Sequence, residues 1–125
     1  MAKSPFVSFH HVQIAMPEGR EEEARQFYVE LLGMAELQKP STLAKRGGAW
    51  FASDGVELHL GVELDFRPAR KAHPALVCAN YVDLVARLRA HGVDVRHDEP
   101  LARGAAHAFI DDPFGNRLEL IETLQ

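Results

Sequence analysis

One stretch of the chain is written twice. Gly55-Val56-Glu57-Leu58-His59-Leu60 lies over Gly115-Asn116-Arg117-Leu118-Glu119-Leu120 at an offset of 60 residues. Each copy reads as strand, turn, strand. Asp54-Gly55 is a hairpin signal. In the other turn, Asp112-Pro113 bends the chain because proline sets its own φ and steers the residue before it away from the helix. Gly115-Asn116 closes that turn with two residues that tolerate positive φ. A second pair of matches lies upstream. His11 opens His-Val-Gln-Ile-Ala-Met and His73 opens His-Pro-Ala-Leu-Val-Cys, 62 residues apart. One change in loop length absorbs the difference of two. Side chains alternate along a strand, so Leu118 and Leu120 point one way and Arg117, Glu119 and Ile121 the other. A lone glutamate there would read as a solvated face. Histidine at the matching place in the first half, with histidines opening a strand in both, argues against scattered surface polarity.

The chain between these marks supports the duplication. Phe6 to Ala15 reads as the first strand. Val12, Ile14 and Met16 take the core face, and His11 and Gln13 the more polar one. His10 stands near the strand's start, where a structural or exposed role fits it better than a ligand's. Arg20 to Leu32 has helical spacing in Ala24, Phe27, Tyr28, Leu31 and Leu32, with Glu21, Glu22 and Glu23 matched to the helix dipole and Gly33 as the stop. Met34 to Leu37 is a short strand, Pro40 to Arg46 a basic loop, and Ala49 to Leu60 a hairpin. Gly61 to Ala72 joins the halves. Then come a strand from His73 to Ala79, a helix from Val82 to Ala90, a strand from Val93 to Arg96, a loop from His97 to Gly104, and the final hairpin. His97 and His107 have no counterpart in the first half and read as surface residues. The order is β-α-β-β-β twice, an α+β chain with module one at about 6–62 and module two at about 73–123.

Composition narrows the classes. At 125 residues the chain is one domain, and 46% apolar with 26% charged residues is ordinary for a soluble globular fold. No segment suggests a membrane span or signal peptide. A net charge of −4 gives no reason to expect nucleic acid as partner. The single Cys78 cannot form an internal disulfide and reads as a core residue in a reducing cytoplasm.

With these residues in place the chain resembles the vicinal oxygen chelate superfamily, the glyoxalase, bleomycin-resistance and extradiol dioxygenase group. The resemblance rests on His11-Val12-Gln13-Ile14, on Phe27-Tyr28 and Leu31-Leu32-Gly33-Met34, and on the run from Asp111 to Leu120. It implies two βαβββ modules whose strands curl into a mixed sheet around a divalent ion such as Zn, Ni, Co, Mn or Fe. It further implies metal ligands at His11, His73 and Glu119. A fourth falls on His59, where relatives usually carry Glu or Gln. Glu57, two residues earlier on the same strand face, is the competing fourth ligand, an acid/base group, or a residue of the rim.

Imidazole and carboxylate suit such an ion, and open positions on it would take adjacent oxygens of a substrate. The expected activity is a lyase or isomerase step on a small α-oxo or thioester-type compound through an oxyanion, with Glu119 and Glu57 as base candidates and no organic cofactor. Gln13, Trp50 and Arg67 are the candidate substrate contacts. Trp50, Phe51 or Phe114 would close the pocket, and the Pro40 to Arg46 loop would gate it. A homodimer is expected, each site taking His11 and His59 from one chain and His73 and Glu119 from the other. The alternative is a protein that sequesters a small molecule without turning it over.

Overall fold

The computed structural model describes residues 3–124. Its first half runs β1 (Val12–Met16), α1 (Glu21–Arg25), β2 (Ala35–Leu37), α2 (Ser41–Ala44), β3 (Ala49–Ser53) and β4 (Val56–Val62). The second runs β5 (Ala75–Cys78), α3 (Tyr81–Ala90), β6 (Arg96–His97), β7 (His107–Asp111) and β8 (Arg117–Glu122). Each half is a four-stranded mixed sheet, ordered β1-β4-β3-β2 and β5-β8-β7-β6. The first strand of each module lies parallel to its last, with Val12 opposite Leu58 and Ala75 opposite Glu119, and the remaining pairs are antiparallel. Parallel neighbours need a long crossover, which each module's helix and inner strands supply. The α+β architecture of two βαβββ modules is therefore present, as two sheets rather than one continuous ladder.

Several boundaries differ from the sequence reading for physical reasons. The β1 ladder begins at Val12, not Phe6. Its partner β4 starts at Val56, directly after the turn, so residues upstream of His11 have nothing to pair with. The first helix widens after Arg25 into a π-helical segment over Gln26–Leu31, where the Leu32 amide reaches back to the Phe27 carbonyl at 2.9 Å. The expected loop from Pro40 contains the short α2, which follows a proline that cannot donate and need not. No helix of the described residues is long and apolar enough to cross a membrane.

The core faces of both sheets meet the helices in one apolar cluster. Tyr28, Phe51, Met16, Leu58, Leu60, Leu88, Ile110, Leu118 and Leu120 are its largest fully buried side chains. Burial of each such apolar side chain is worth roughly 1.5–3 kcal/mol. The Tyr28 and Phe51 rings stack with centroids 5.1 Å apart. Phe51 and Phe114, expected at a pocket mouth, thus belong to this core instead. Strand alternation turns Phe51 away from the face that carries Trp50, and the Asp112 turn folds Phe114 inward.

That turn also ties the modules together. Asp112 Oδ1 accepts from the Phe114 and Asn116 amides, both at 2.9 Å. Its Oδ2 accepts from the Tyr28 hydroxyl at 2.7 Å and from Asn116 Nδ2 at 2.9 Å. Asn116 Nδ2 also donates to the Ala15 carbonyl at 2.8 Å, across 101 residues of sequence. Burial pushes the Asp112 carboxyl above its ordinary range, and these hydrogen bonds only partly offset that. Gly115 takes the positive φ of the turn, at 90°. Asn116 does not; its side chain, not its backbone freedom, serves the fold.

Candidate metal centre

The face of each sheet opposite the core carries the polar residues, in matching register. Gln13, His59 and Trp50 are cross-strand neighbours in the first sheet. Ala75, Glu119 and Phe109 are their equivalents in the second. His59 is only 4% exposed. Its ring lies between the Trp50 indole, at 4.1 Å and 5° from parallel, and the His11 ring, at 3.9 Å and 14°. Its Nε2–H donates to Glu57 Oε2 at 2.7 Å. That bond holds the Glu57 carboxyl below its ordinary range, outweighing a smaller effect of burial, with His10 and His11 adding to it. His10 Nδ1 and His11 Nδ1 stand 2.9 Å apart. Donor atoms of His10, His11 and Glu57 lie within 4.8 Å of one another, the one such set of three among the described residues.

The second module holds its carboxylate differently. His73 Nε2 meets Glu119 Oε1 at 2.9 Å. On the far side of the ring, His73 Nδ1–H donates to the Lys71 carbonyl at 2.7 Å, which turns Nε2 toward the site. His107 Nδ1 meets Glu119 Oε2 at 2.8 Å, while its Nε2–H donates to the Glu99 carbonyl at 2.6 Å. Burial alone would push Glu119 up, but the two imidazoles outweigh it and hold the carboxyl below its ordinary range. For His107, burial alone would lower the value. The Glu119 carboxylate and the Glu99 carbonyl overcome that and raise it.

His107 is therefore not the surface residue that its lack of a counterpart suggested; it is 6% exposed. The signal that could have found it is parity. His107 stands two residues before Phe109, on the strand face that borders Glu119. His97 is exposed, as expected.

The chain thus brings the expected ligands together in pairs, His11 with His59 and His73 with Glu119, and not all four at one point. Between the modules lies a cavity of about 710 Å³ whose walls include His11, Gln13, Glu57, Arg67, His73 and Arg117. Trp50, His59 and Glu119 do not line it. Arg67 is 84% exposed and 4.0 Å from Asp65. Gln13 is exposed, and its amide sits over Gly61, where an added Cβ would come within 2.6 Å of Nε2.

The donor chemistry fits a divalent ion. Imidazole nitrogens and ionised carboxylates are ordinary ligands for Zn and its neighbours, and a ring whose other nitrogen is tied to a carbonyl is already oriented to bind. In metal-free form each donor finds another as hydrogen-bond partner, and no buried side-chain polar atom among the described residues lacks one.

Known proteins share this fold. The family model described as the Glyoxalase/Bleomycin resistance protein/Dioxygenase superfamily matches residues 8–120. Among solved structures, the chain is similar to a glyoxalase family protein from Bacillus anthracis. Identity is 41% and the TM-score 0.92, over 98% of this chain and 100% of that one. It is also similar to a glyoxalase/dioxygenase from Nostoc punctiforme, at 22% identity and TM-score 0.75 over 100% of both chains. A third likeness is to lactoylglutathione lyase from Agrobacterium tumefaciens, at 18% identity and TM-score 0.69, over 95% of this chain and 96% of that one. At such identities the last two share the fold alone. No curated protein matches the chain.

Proposed function

Because the chain belongs to the glyoxalase/bleomycin resistance protein/dioxygenase superfamily, we propose that its matched pairs of donor residues hold one divalent metal ion and that it transforms a small α-oxo or thioester-type substrate. The observation that carries this reading is the symmetry of the pairs. His11 with His59 and His73 with Glu119 take corresponding places in the two modules, one residue just before the first strand and one on the last, with rings stacked 3.9 Å apart in the first pair and donor atoms 2.9 Å apart in the second.

His11, His73 and Glu119 would hold the ion together with one member of the His59–Glu57 pair. The repeat favours His59, which stands where Glu119 does. The geometry favours Glu57, whose carboxylate has a donor atom within 4.8 Å of one on His11 and one on His10. Two imidazoles stacked 3.9 Å apart and almost parallel direct their lone pairs side by side rather than at one point. A divalent ion there would stabilise an oxyanion formed when a neighbouring C–H loses its proton. The member of the pair that does not ligate would carry that proton, imidazole and carboxylate both being ordinary general bases. Gln13 and Arg67, both on the cavity wall, orient the substrate, Arg67 by pairing with a carboxylate.

The functional unit is a homodimer with two sites, each built from His11 and the β4 pair of one chain and His73 and Glu119 of the other. Supporting this, no three donor atoms drawn from both modules of one chain lie within 4.8 Å of one another among the described residues. Phe6, Val7 and Phe9, beside His10 and His11, are 85%, 97% and 90% exposed, an apolar run that a partner would cover.

The test is elemental analysis of protein purified without an affinity tag, followed by calorimetric titration with Zn²⁺ and Ni²⁺. Glu119→Gln should weaken binding by roughly 100-fold, as loss of a charged ligand does. His59→Ala and Glu57→Gln then separate the fourth ligand, which loses metal, from the proton carrier, which keeps metal and loses rate. Solvent deuterium should enter product at the carbon beside the carbonyl. A monomer by light scattering at micromolar concentration refutes the shared site. A cavity of about 710 Å³ would also suit a sequestering protein. Metal-loaded protein that turns over no α-oxo or thioester compound yet binds a bulky ligand tightly would establish that reading instead.

A further inference from the structure

We infer that His107 is a positioning residue for Glu119, occupying one carboxylate oxygen so that only the other is free to bind a metal ion. The inference rests on the metal-centre reading above, and no ligand role is assigned to His107 itself.

The argument is an account of donors and acceptors. The Glu99 carbonyl can only accept, so the 2.6 Å contact places a hydrogen on His107 Nε2. A carboxylate also only accepts. The 2.8 Å contact to Oε2 therefore places a second hydrogen on Nδ1. Both ring nitrogens are spent on acceptors, and neither has a lone pair to offer a metal. His73 makes the same two kinds of contact, to the Lys71 carbonyl and to Glu119 Oε1, but it lines the cavity and its side chain is 23% exposed, so it is the imidazole that could exchange its carboxylate contact for an ion.

Glu119 is thus gripped on one oxygen and presented on the other. The grip is rigid because the side chain of His107 is 7% exposed and its ring is fixed at both ends, edge-on to Phe109 with centroids 5.7 Å apart. A carboxylate held in this way would offer an ion Oε1 and keep Oε2 on the imidazole. Outer hydrogen bonds of this kind are typically worth 10- to 100-fold in metal affinity.

His107→Leu, His107→Asn and His107→Gln test the assignment, with circular dichroism as the check on folding. Asparagine can place an amide N–H close to where Nδ1 stands, whereas glutamine reaches the Nε2 position. By calorimetry, Zn²⁺ affinity should fall 10- to 100-fold in His107→Leu, and His107→Asn should bind at least several-fold more tightly than His107→Gln. In a Glu119→Gln background, His107→Leu should cost nothing further, because its effect passes through the carboxylate. A merely structural role would lower affinity equally in both backgrounds, and that result overturns the inference. So does an unchanged affinity in His107→Leu. If His107→Leu does not fold, the ordering of asparagine and glutamine decides alone.

Nitrogen-15 spectra of the metal-free protein supply an arm that needs no metal. Both ring N–H protons of His107 should be visible, and Glu119→Gln should shift the Nδ1 signal much more than the Nε2 signal. A missing Nδ1–H refutes the assignment. Protein that takes up no metal but shows both protons retains the grip on Glu119 and refutes the metal-centre reading alone.

Discussion

The two modules repeat one fold but secure their central polar residue by different means. In the first, His59 is held by ring faces, Trp50 on one side and His11 on the other, with a single hydrogen bond to Glu57. In the second, Glu119 is held by ring nitrogens, His73 on one oxygen and His107 on the other. The chemistry of the held group explains the difference. An imidazole offers two flat faces and is well served by stacking, whereas a buried carboxylate needs donors on both oxygens. The turns differ in the same sense. Asp54 is exposed, while Asp112 is buried and accepts four hydrogen bonds from its own turn and from the other module. Duplication supplied the scaffold, and each copy then took on a separate part, one at the junction between modules.

The largest expected effect breaks that second contrast. Asp112→Ala leaves the Tyr28 hydroxyl, two amides and the Asn116 side chain without their acceptor in a buried site. A cost of roughly 3–5 kcal/mol follows, since each orphaned buried donor costs about 1–3 kcal/mol and some relax onto water. Asp54→Ala, at the matching turn, should cost less than about 0.5 kcal/mol. Urea denaturation of both variants checks the pair. Equal losses would mean that Asp112 is not the joint between the modules.

Next in size is a test of why His107 has no partner in the repeat. With Trp50 opposite His59 and Phe109 opposite Glu119, the place equivalent to His107 is Gly48. Gly48 has φ of 83°, and a Cβ there would come within 2.1 Å of the Leu60 carbonyl oxygen. The first module has no room for any side chain at that position. Gly48→Ala should therefore destabilise by about 2 kcal/mol or more through strain at positive φ and the clash, measured by thermal unfolding. A neutral Gly48→Ala would leave the asymmetry without this steric cause.

This pair also marks how far the residues alone could be read. The duplication and the positions of His11, His59, His73 and Glu119 on non-core faces follow from period-two alternation, a local property that survives in the sequence. What failed was whatever depends on a neighbour distant in the chain. His107 looked like surface because nothing in its own vicinity announces the Glu99 carbonyl above it. Phe51 and Phe114 looked like pocket walls because an aromatic beside a turn gives no sign of which side closes over it. Asn116 was read for its backbone, though its side chain bridges to Ala15. The β1 start was placed too early because apolar alternation extends upstream of the point where its partner β4 begins.

A third prediction sharpens the contrast through pH. Glu119 has a folded value below its ordinary 4.5, so its contribution to stability is fully present above pH 4.5 and is lost as pH falls through the folded value. His107 has a folded value above its ordinary 6.5, so its contribution is fully present below pH 6.5 and is lost as pH rises through the folded value. The pair thus supports the metal-free protein best between about pH 4.5 and 6.5. Asp112 acts in the opposite sense to Glu119, its raised value favouring the fold at acid pH. Melting temperatures in the presence of a chelator should show a plateau in that window that Glu119→Gln flattens on both sides. A variant with the parent's profile would remove the His107–Glu119 pair as its cause.

The smallest expected effect concerns the stacking itself. Trp50→Leu keeps apolar bulk over the first sheet but removes the ring that faces His59, and Phe109→Leu makes the equivalent change in the second. Aromatic pairing beyond plain burial is worth about 0.5–1.5 kcal/mol, so neither change should unfold the protein. Their local consequences should differ. His59 sits 4.1 Å from the indole and nearly parallel to it, within its ring current, and has one hydrogen bond to keep it in place. Its carbon-bound ring protons should move downfield in Trp50→Leu, and the ring should begin to sample other orientations. Glu119 stays clamped by two imidazoles whatever happens to Phe109, which meets His73 only edge-on at 5.3 Å. In Phe109→Leu the His73 and His107 ring protons should shift slightly and remain single, sharp lines. If instead His59 is undisturbed by Trp50→Leu while the second cluster loosens in Phe109→Leu, then stacking holds the carboxylate side and hydrogen bonding the imidazole side, the reverse of the division drawn above.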